Sequence, residues 1–306
     1  MTTANNALLG DGSSLPRGLI QLAKNHAKLG FDVWQGLKLA ILRAGGIVDY
    51  PVPPNSTMRS TSSRTIRHYF ESGIRTSTPI ITAASIHGID LSGNCRVLDF
   101  GCGVGRQLLH FTANLPNLSL FACDVNARSI AYIRKTFPQV DCHVNDFQPP
   151  LRYEDRTFDL IYSVSIFSHL TYADQAVWLS ELARVLRDDG LCCLTVMGRH
   201  ALDRWPGFES QERAVAQQAL AEQGSYYKGA PKPQHQRWVE RISKFGSNLV
   251  GIDADYGDTF YSAAHICEKW NNANFSVLSV VPGVIDNLQD LVVLKRRPRA
   301  ESHSAR

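Results

Sequence analysis

The residues best suited to bind a cofactor lie between Val97 and Arg106, in the sequence VLDFGCGVGR. An apolar run containing one carboxylate leads into Gly101, Gly103 and Gly105, a pattern typical of a buried strand that ends in a tight turn and opens a helix. Glycine permits positive φ and close approach of a ligand, and the following helix N-terminus offers backbone N–H groups. The stretch therefore predicts a cofactor-binding loop.

The glycine spacing and the neighbouring charges favour a cationic cofactor over a dinucleotide. A G-x-G-x-x-G loop starting at Gly101 would place its third glycine at position 106, where the chain has Arg106. Asp99 lies two residues before the first glycine, and its carboxylate would repel a diphosphate but attract an ammonium and a sulfonium. S-adenosylmethionine carries both cations and no phosphate, so we predict this methyl donor as the cofactor.

A second acid follows at the interval expected for a ribose contact. Asp124 lies 19 positions after Gly105 and near the end of the apolar run Leu118–Val125. An acid about 20 residues past such a loop, at the end of the next strand, accepts hydrogen bonds from ribose hydroxyls. We therefore predict an adenosine site that includes Asp124, Val125 and, in the loop, Cys102.

The ends of the next two predicted strands add residues to the same pocket. The third strand is followed by Asn145, Asp146 and Phe147. A carboxylate there can accept from the adenine amine and an aromatic ring can stack on the base, although Asn-Asp alone is also common in turns. The fourth strand, Phe158–Ser163, ends where the transferred methyl group should lie and delivers Ser163, Val164 and Phe167.

In this order, the motifs resemble those of the class I S-adenosylmethionine-dependent methyltransferases, most closely the small-molecule methyltransferase-domain group. The resemblance covers residues 65–198 and includes FDLIYSVSIFSHL at 158–170 and LARVLRDDG at 182–190, and LQDLVVL at 288–294 resembles that group's last strand. It implies S-adenosyl-L-methionine as cofactor and an α/β fold. That fold is a seven-stranded, mostly parallel, Rossmann-like sheet with helices on both faces and an antiparallel last strand.

The resemblance also implies that a helix before the first strand covers the methionine half of the cofactor. The segment from Ser63 to His87 is predicted to be helical and carries Tyr69 and Arg75, which we include in the cofactor site. A guanidinium pairs well with a carboxylate, so Arg75 is a candidate for the carboxylate of the cofactor. A solvated arginine is the alternative.

His169 is the candidate catalytic residue. It lies six residues past the fourth strand, and a side chain with an ordinary pKa near 6.5 can accept a hydroxyl proton at neutral pH. The alternative is a histidine that hydrogen-bonds a nearby loop. A carboxylate acceptor would need no base, whereas a hydroxyl or amine acceptor could use His169 or a tyrosine of the region that follows.

The elements that position these residues alternate between strand and helix, which predicts a parallel sheet with a ligand site beyond its carboxyl edge. Thr171 is predicted to begin the helix after the fourth strand, Gly190 to end it, and Leu191–Met197 to form the fifth strand. A helix at Tyr261–Asn271 and an antiparallel hairpin close the predicted fold, with the hairpin strands at Phe275–Val281 and Gln289–Leu294.

We divide the chain into an N-terminal helical extension and linker at 1–62, a methyltransferase domain at 63–297, and a disordered basic tail at 298–306. Residues 198–258 form an insertion after the fifth strand, interpreted as an acceptor-binding lid or as surface decoration. Apolar spacing at 16–45 indicates helices that pack on their own core, or that form a lid, a dimer contact or a membrane-surface helix.

Composition limits the kinds of binding partner and the cellular compartment that we expect for this protein. The net charge of +4 equals the net charge of residues 295–306, so the remainder of the chain is neutral and a nucleic-acid-binding face is not expected. No stretch reaches the roughly 18 apolar residues of a membrane span. The seven cysteines lack C-x-x-C spacing and no metal-ligand spacing appears among the ten histidines. A cytoplasmic protein without a metal site is predicted.

The sequence thus predicts an enzyme that transfers a methyl group from S-adenosylmethionine to a small-molecule acceptor. Methylation on oxygen, nitrogen or a carboxyl group remains open, and the resemblance suggests a natural-product or polysaccharide precursor. Two alternatives remain: a non-catalytic scaffold subunit with the same fold, and a nicotinamide-dependent oxidoreductase, which Asp99 and Arg106 disfavour.

Overall fold

The structure is a computed structural model that describes residue 53 and residues 65–205, 208–229 and 257–298. Apart from residue 53, the predicted N-terminal extension at 1–62 lies outside these ranges, and with it the predicted dimer contact. The basic tail beyond residue 298 also lies outside them. The predicted insertion at 198–258 is described in part.

After one long helix, the first half of the domain alternates between strand and helix as far as β3, and β4 follows β3 without a helix between them. The elements are α1 (Ile66–Ile86), β1 (Arg96–Phe100), α2 (Leu108–Asn114), β2 (Ser119–Asp124), α3 (Ala127–Thr136), β3 (Asp141–Val144) and β4 (Phe158–Ser163). Asn126 caps α3, because its side chain accepts from the backbone N–H groups of Arg128 and Ser129.

The second half contains the insertion and the closing hairpin. Its elements are α4 (Tyr172–Val185), β5 (Leu186–Val196), α5 (Arg199–Arg204), α6 (Ser210–Glu222), β6 (Ser225–Gly229), β7 (Gly257–Tyr261), α7 (Ala263–Lys269), β8 (Phe275–Ile285) and β9 (Gln289–Arg296). Thr171 is the N-cap of α4, as predicted, and its hydroxyl accepts from the backbone N–H of Asp174.

Seven strands form one sheet in the order β3-β2-β1-β4-β5-β9-β8. The first five pair in parallel, and β9 runs antiparallel to both of its neighbours. This arrangement confirms the predicted Rossmann-like fold with an antiparallel last strand. The chain order reverses between β1 and β4, which places a crevice at the carboxyl ends of these two strands.

The helices cover both faces of the sheet because successive residues of each buried strand point to opposite sides. Val97 belongs to the core beneath α1, α2 and α3, whereas Leu98 belongs to the core beneath α4 and α7. Phe111 of α2 stacks on Tyr162 of β4 with ring centroids 4.7 Å apart. These two apolar cores fix the strand ends that carry the predicted site.

Two predicted boundaries were wrong. The helix α4 ends at Val185 rather than at Gly190, because Leu186 already pairs with Phe158 of β4 and a bulge separates this pair from Leu191. The turn-rich sequence RDDG is therefore an irregularity inside β5. The predicted helix at 261–271 also begins later, since Tyr261 pairs with Ser225 in the β6–β7 hairpin.

In the part of the chain that the structure describes, no helix combines the length and apolar character needed to cross a membrane. The seven cysteines are free thiols, six of them buried, and Cys267 on α7 is exposed.

Two neighbouring residues of α4 provide a test of the core. Trp178 is 3% exposed and packs on Phe100 with ring centroids 4.7 Å apart, whereas Val177 is 45% exposed. We expect Trp178→Ala to lower the free energy of unfolding by about 3–5 kcal/mol, because it leaves a cavity. Val177→Ala should change it by less than about 0.5 kcal/mol. Urea denaturation of both variants measures the difference, and equal losses would contradict the assigned packing.

Candidate functional site

The glycine loop is held against the end of β2 by its own backbone. The N–H groups of Gly101 and Cys102 donate to the Cys123 carbonyl at 2.9 and 3.0 Å. Gly101 has φ +78°, and a Cβ at this position would lie 2.4 Å from Cγ1 of Ile166. Only glycine fits this combination of positive φ and close packing. The loop therefore presents backbone rather than side chains to the crevice.

Asp124 joins the glycine loop to the start of α3. Its Oδ2 accepts from the Gly103 N–H at 2.8 Å and its Oδ1 from the Asn126 N–H at 2.7 Å. Burial raises the pKa of this carboxyl, and the two backbone donors act in the opposite direction. Each carboxylate oxygen can accept a second hydrogen bond, so Asp124 can still receive a pair of ribose hydroxyls. Half-buried Val125 follows it.

Asp99 is a buried acid that lacks a complete set of partners. Its side chain is 2% exposed, its Oδ2 makes no hydrogen bond of standard geometry within the described residues, and the Tyr162 hydroxyl is close enough to act on its pKa. Burial raises the pKa of Asp99 to about 8; the charge of Asp124 adds to this effect, and Tyr162 and Arg106 oppose it. A cation beside Oδ2 would remove the cost of ionisation. The residues present therefore fit the amino-acid end of S-adenosylmethionine.

The end of β3 lies beside Asp124, and the end of β4 lies beside Asp99. The Asn145 N–H donates to the Asp124 carbonyl at 3.2 Å. The side-chain oxygens of Asn145 and Ser163 are buried, and neither has a partner in the described ranges. Asp146 is exposed, Phe147 is 37% exposed, and Val164 is half-buried. Unpartnered buried oxygens at neighbouring strand ends are expected where a polar ligand binds.

The two predicted site residues on α1 have different surroundings. Tyr69 is fully buried, and its hydroxyl donates to the Val104 carbonyl at 3.0 Å, so it supports the glycine loop from below. The Nε atom of Arg75 lies 2.5 Å from Oδ1 of Asp286, and its Nη1 lies 3.7 Å from Glu71. Both side chains are thus engaged by protein groups rather than directed at an open site.

Arg106 is a site residue that the sequence reasoning used only to exclude a dinucleotide. Its Nη1 donates to the Ser72 hydroxyl at 3.2 Å, and its side chain is partly buried. Burial lowers the pKa of the guanidinium, while the charges of Asp286 and Asp99 raise it. The contact with α1 depends on Gly73, where a Cβ would lie 2.6 Å from the Arg106 carbonyl. The available signal was its position directly after the third glycine.

His169 contacts the first residues of β7. Its Nδ1 lies 3.0 Å from the Gly257 carbonyl and 3.2 Å from Oδ1 of Asp258. The other oxygen of Asp258 accepts from the Trp205 indole N–H at 3.2 Å. The histidine therefore does hydrogen-bond a nearby segment, as the alternative interpretation expected, and its catalytic role stays a prediction.

The described part of the insertion packs over the carboxyl edge of the sheet. The Thr259 N–H donates to the Ser168 carbonyl, and the Tyr261 N–H to the Met197 carbonyl, both at 2.8 Å. The α5, α6 and β7 segments share a small apolar core that includes Met197, Leu202 and Phe260. The insertion is thus attached to the loop that follows β4, next to the crevice.

Among the described residues, no group of three or more His, Cys, Asp or Glu side chains could hold a metal ion. The site consists instead of backbone N–H groups, two buried acids, one guanidinium and several unpartnered oxygens. Such a set suits an organic cation joined to a ribose.

Comparison with known proteins agrees with this geometry. A family model described as a methyltransferase domain matches residues 97–190. The mouse tRNA N(3)-cytidine methyltransferase METTL2 is 31% identical over 121 residues, which cover 36% of this chain and 30% of that protein. The malonyl-[acyl-carrier protein] O-methyltransferase of Geobacter sulfurreducens is 32% identical over 107 residues, covering 34% of this chain and 39% of that protein.

Among solved structures, the PH0226 protein from Pyrococcus horikoshii OT3 aligns with 16% identity and a TM-score of 0.48, over 74% of this chain and 91% of the other. The two sequence relatives named above align with this chain over about a third of their length. The family match shows that residues 97–190 resemble a methyltransferase domain, and the geometry of the site agrees with the class I S-adenosylmethionine-dependent methyltransferases.

Proposed function

We propose that this protein transfers the methyl group of S-adenosylmethionine to a small-molecule acceptor. The observation that carries the proposal is the buried Asp99 with its unpartnered oxygen, beside a glycine loop held by Asp124. When bound, the sulfonium supplies an activated methyl group. The protein then contributes alignment for in-line displacement, which can be worth about 7–11 kcal/mol of the barrier in well-oriented reactions.

Each predicted cofactor residue except Arg75 has a part in this proposal. Asp99 faces the ammonium, and Asp124 with Val125 receives the ribose. The adenine lies against the residues that follow β3: Asn145, Asp146 and Phe147. The loop formed by Gly101, Cys102 and Gly103 allows close approach of the cofactor, Tyr69 supports that loop, and Ser163 and Val164 lie near the methyl group.

The insertion favours a small acceptor over a nucleic acid. Two basic side chains in the described part of the insertion are paired with acids, Arg199 with Asp203 at 3.1 Å and Lys228 with Glu212 at 2.9 Å. Phosphate binding requires basic groups available on one face. Aromatic rings are also present beside the crevice, including Trp205. The tRNA methyltransferase relatives make RNA the second candidate acceptor.

His169 is proposed as the general base for a hydroxyl or amine acceptor. Its contacts with Gly257 and Asp258 favour a proton on Nδ1, which leaves Nε2 as the basic nitrogen. A carboxylate acceptor would not require it.

Thermal melting with S-adenosylhomocysteine tests the cofactor site. At 100 times its Kd, the ligand should add about 2.7 kcal/mol of stability and raise Tm by several degrees. Asp124→Ala should abolish most of this increase, because it removes the ribose acceptor. Asp141→Asn on β3, which removes an exposed carboxylate paired with Arg152, should retain the full increase. An unchanged increase in Asp124→Ala would contradict the ribose assignment.

Asp99 predicts an unusual dependence on pH. Its pKa of about 8 lies above the value near 3.9 in the unfolded chain. Between about pH 4 and 8, the folded state therefore binds more protons than the unfolded state does. Asp99 consequently lowers the free energy of unfolding by a growing amount as pH rises through this window.

Asp99→Asn should accordingly raise Tm of the ligand-free protein, by more at pH 8 than at pH 5. The same variant should bind S-adenosylmethionine at least 10-fold more weakly, because the partner of the ammonium is lost. Melting curves at both pH values and calorimetric titration at pH 7.5 measure the two effects. A lower Tm at pH 8 together with undiminished binding would refute the assigned role of Asp99.

Transfer of a labelled methyl group distinguishes the two acceptor classes. Incubation with methyl-labelled S-adenosylmethionine and either a small-molecule extract or total tRNA should label the small-molecule fraction. For a hydroxyl or amine acceptor, His169→Gln should reduce the rate by about 100-fold or more while S-adenosylhomocysteine binding persists. Label in the tRNA fraction would favour the second candidate, and a fully active His169→Gln would exclude the base.

A further inference from the structure

The loop that carries His169 is attached to β7 on both sides of the histidine. The Gly257 N–H donates to the His169 carbonyl at 3.4 Å, and the Thr259 N–H donates to the Ser168 carbonyl at 2.8 Å. The Thr259 hydroxyl donates to the Leu170 carbonyl, also at 2.8 Å. Because three consecutive carbonyls are bonded to one strand, the backbone of His169 has a fixed position relative to β7.

The imidazole of His169 contacts two acceptors on consecutive residues of β7. Its Nδ1 lies 3.0 Å from the Gly257 carbonyl oxygen and 3.2 Å from Oδ1 of Asp258. A carbonyl and a carboxylate can only accept, so the proton of the neutral imidazole belongs on Nδ1. Nε2 is then the nitrogen that can take a proton, and the carboxylate next to Nδ1 stabilises the imidazolium that results.

Trp205 fixes the orientation of the Asp258 carboxylate. Its indole N–H, which can only donate, lies 3.2 Å from Oδ2 of Asp258, the oxygen that does not face His169. The indole ring packs edge to face on Phe260, with ring centroids 6.3 Å apart. The hydrogen-bonded network of His169, Asp258 and Trp205 therefore joins the loop after β4 to β7 and to the end of α5. The insertion supplies the two side chains that hold the imidazole.

A base held in this way serves an acceptor that must lose a proton as it attacks. A carboxylate has lost its proton already, and a neutral amine attacks through its lone pair and releases a proton afterwards. A hydroxyl becomes a strong nucleophile only as its proton leaves, which is the step that a general base assists. The network therefore favours a hydroxyl acceptor over the other two groups.

Acidity and the neighbouring rings indicate which kind of hydroxyl this is. An imidazole ordinarily has a pKa of about 6.5 and a phenol one of about 10, whereas an alkyl hydroxyl is nearly as weak an acid as water. Proton transfer to a histidine is thus far less costly from a phenol. Aromatic rings also adjoin the network, because a Cβ on Gly257 would lie 2.8 Å from the Tyr227 ring, and the Tyr172 ring is 6.4 Å from that of Tyr227. Such rings pack well against a planar acceptor.

We propose that Asp258 is a positioning residue for His169 and that the acceptor methylated at this site is a phenolic hydroxyl. This inference rests on the proposed function, because it assumes that a methyl group is transferred beside His169. The phenolic oxygen forms a bond to the methyl carbon as the electron pair of the carbon–sulfur bond passes to sulfur, and the phenolic proton goes to Nε2 of His169. Asp258 stabilises the imidazolium, which then releases the proton to water.

Nitrogen NMR of the ligand-free protein tests the positioning role without any acceptor. With isotopically labelled histidine at about pH 8.5, where imidazole is ordinarily neutral, the wild type should show His169 as the Nδ1–H tautomer. The signals that are absent from His169→Gln identify this residue. In Asp258→Asn, the Trp205 indole N–H attracts the amide oxygen, which turns the amide N–H groups toward Nδ1 of His169. The Nδ1–H tautomer should therefore give way in part to the Nε2–H tautomer.

Combining Trp205→Phe with Asp258→Asn gives the sharper test, because it removes the donor that orients the amide. The amide oxygen can then turn toward His169, and the Nδ1–H tautomer should return. If Asp258 had only a structural role, the second substitution would add to the damage of the first. A wild-type tautomer in Asp258→Asn, or no recovery in the double variant, would overturn the positioning role.

Asp258→Asn should also reduce the rate of methyl transfer to a small-molecule extract by about 100-fold or more, as His169→Gln does. Binding of S-adenosylhomocysteine should persist, which reports that the variant is folded. Asp203→Asn is the matched control, because it removes a carboxylate of the same insertion that pairs with Arg199 at 3.1 Å. Its rate should stay within about threefold of the wild type. A full rate in Asp258→Asn would contradict the proposed role.

The bond formed in the product tests the acceptor class. Transfer of a carbon-13-labelled methyl group to the same extract, followed by NMR and mass spectrometry, should yield an aryl methyl ether. Methyl transfer to nitrogen, to a carboxylate or to an alkyl hydroxyl would leave the proposed function standing and overturn this inference. A wild type that neither binds S-adenosylhomocysteine nor transfers a methyl group would overturn the proposed function itself.

Discussion

The site depends on a carboxylate buried at the end of the central strand. Asp99 cannot ionise cheaply in this position, because it is 2% exposed and its Oδ2 has no partner in the described structure. A buried charge of this kind is stable only beside an opposite charge. The folded protein therefore carries an energetic cost of ionising Asp99 that a cationic ligand would remove. The other parts of the site surround the same carboxylate.

Three parts of the fold surround the region of the Asp99 carboxylate. The glycine loop brings backbone against the end of β2, and Asp124 fixes it through the Gly103 N–H. Helix α1 supports the loop from below through Tyr69 and meets it laterally at Arg106. The turn between β8 and β9 adds Asp286 from the far edge of the sheet. Residues more than 200 positions apart thus set the electrostatics of one pocket.

The insertion supplies the region in which an acceptor would bind, next to the residues that would bind the cofactor. Its β6–β7 hairpin is attached by backbone hydrogen bonds to the loop after β4, and Asp258 and Gly257 contact His169. Arg199 and Lys228 of the described insertion are paired with acids, and Trp205 packs near Phe260. These features connect the proposed base directly to the region that would enclose an acceptor.

The sequence by itself determined the fold class and the cofactor loop, because the periodicity of β1 to β5, the glycine spacing and the caps at Asn126 and Thr171 are local signals. It misplaced the end of α4, since pairing of Leu186 with Phe158 is a long-range contact that overrides the turn sequence. Only the tertiary structure showed that Arg75 pairs with Asp286 while Arg106 hydrogen-bonds Ser72 of α1. Charged side chains on separate elements become partners only when those elements pack together. The spacing of residues along the sequence therefore does not predict which of them will pair.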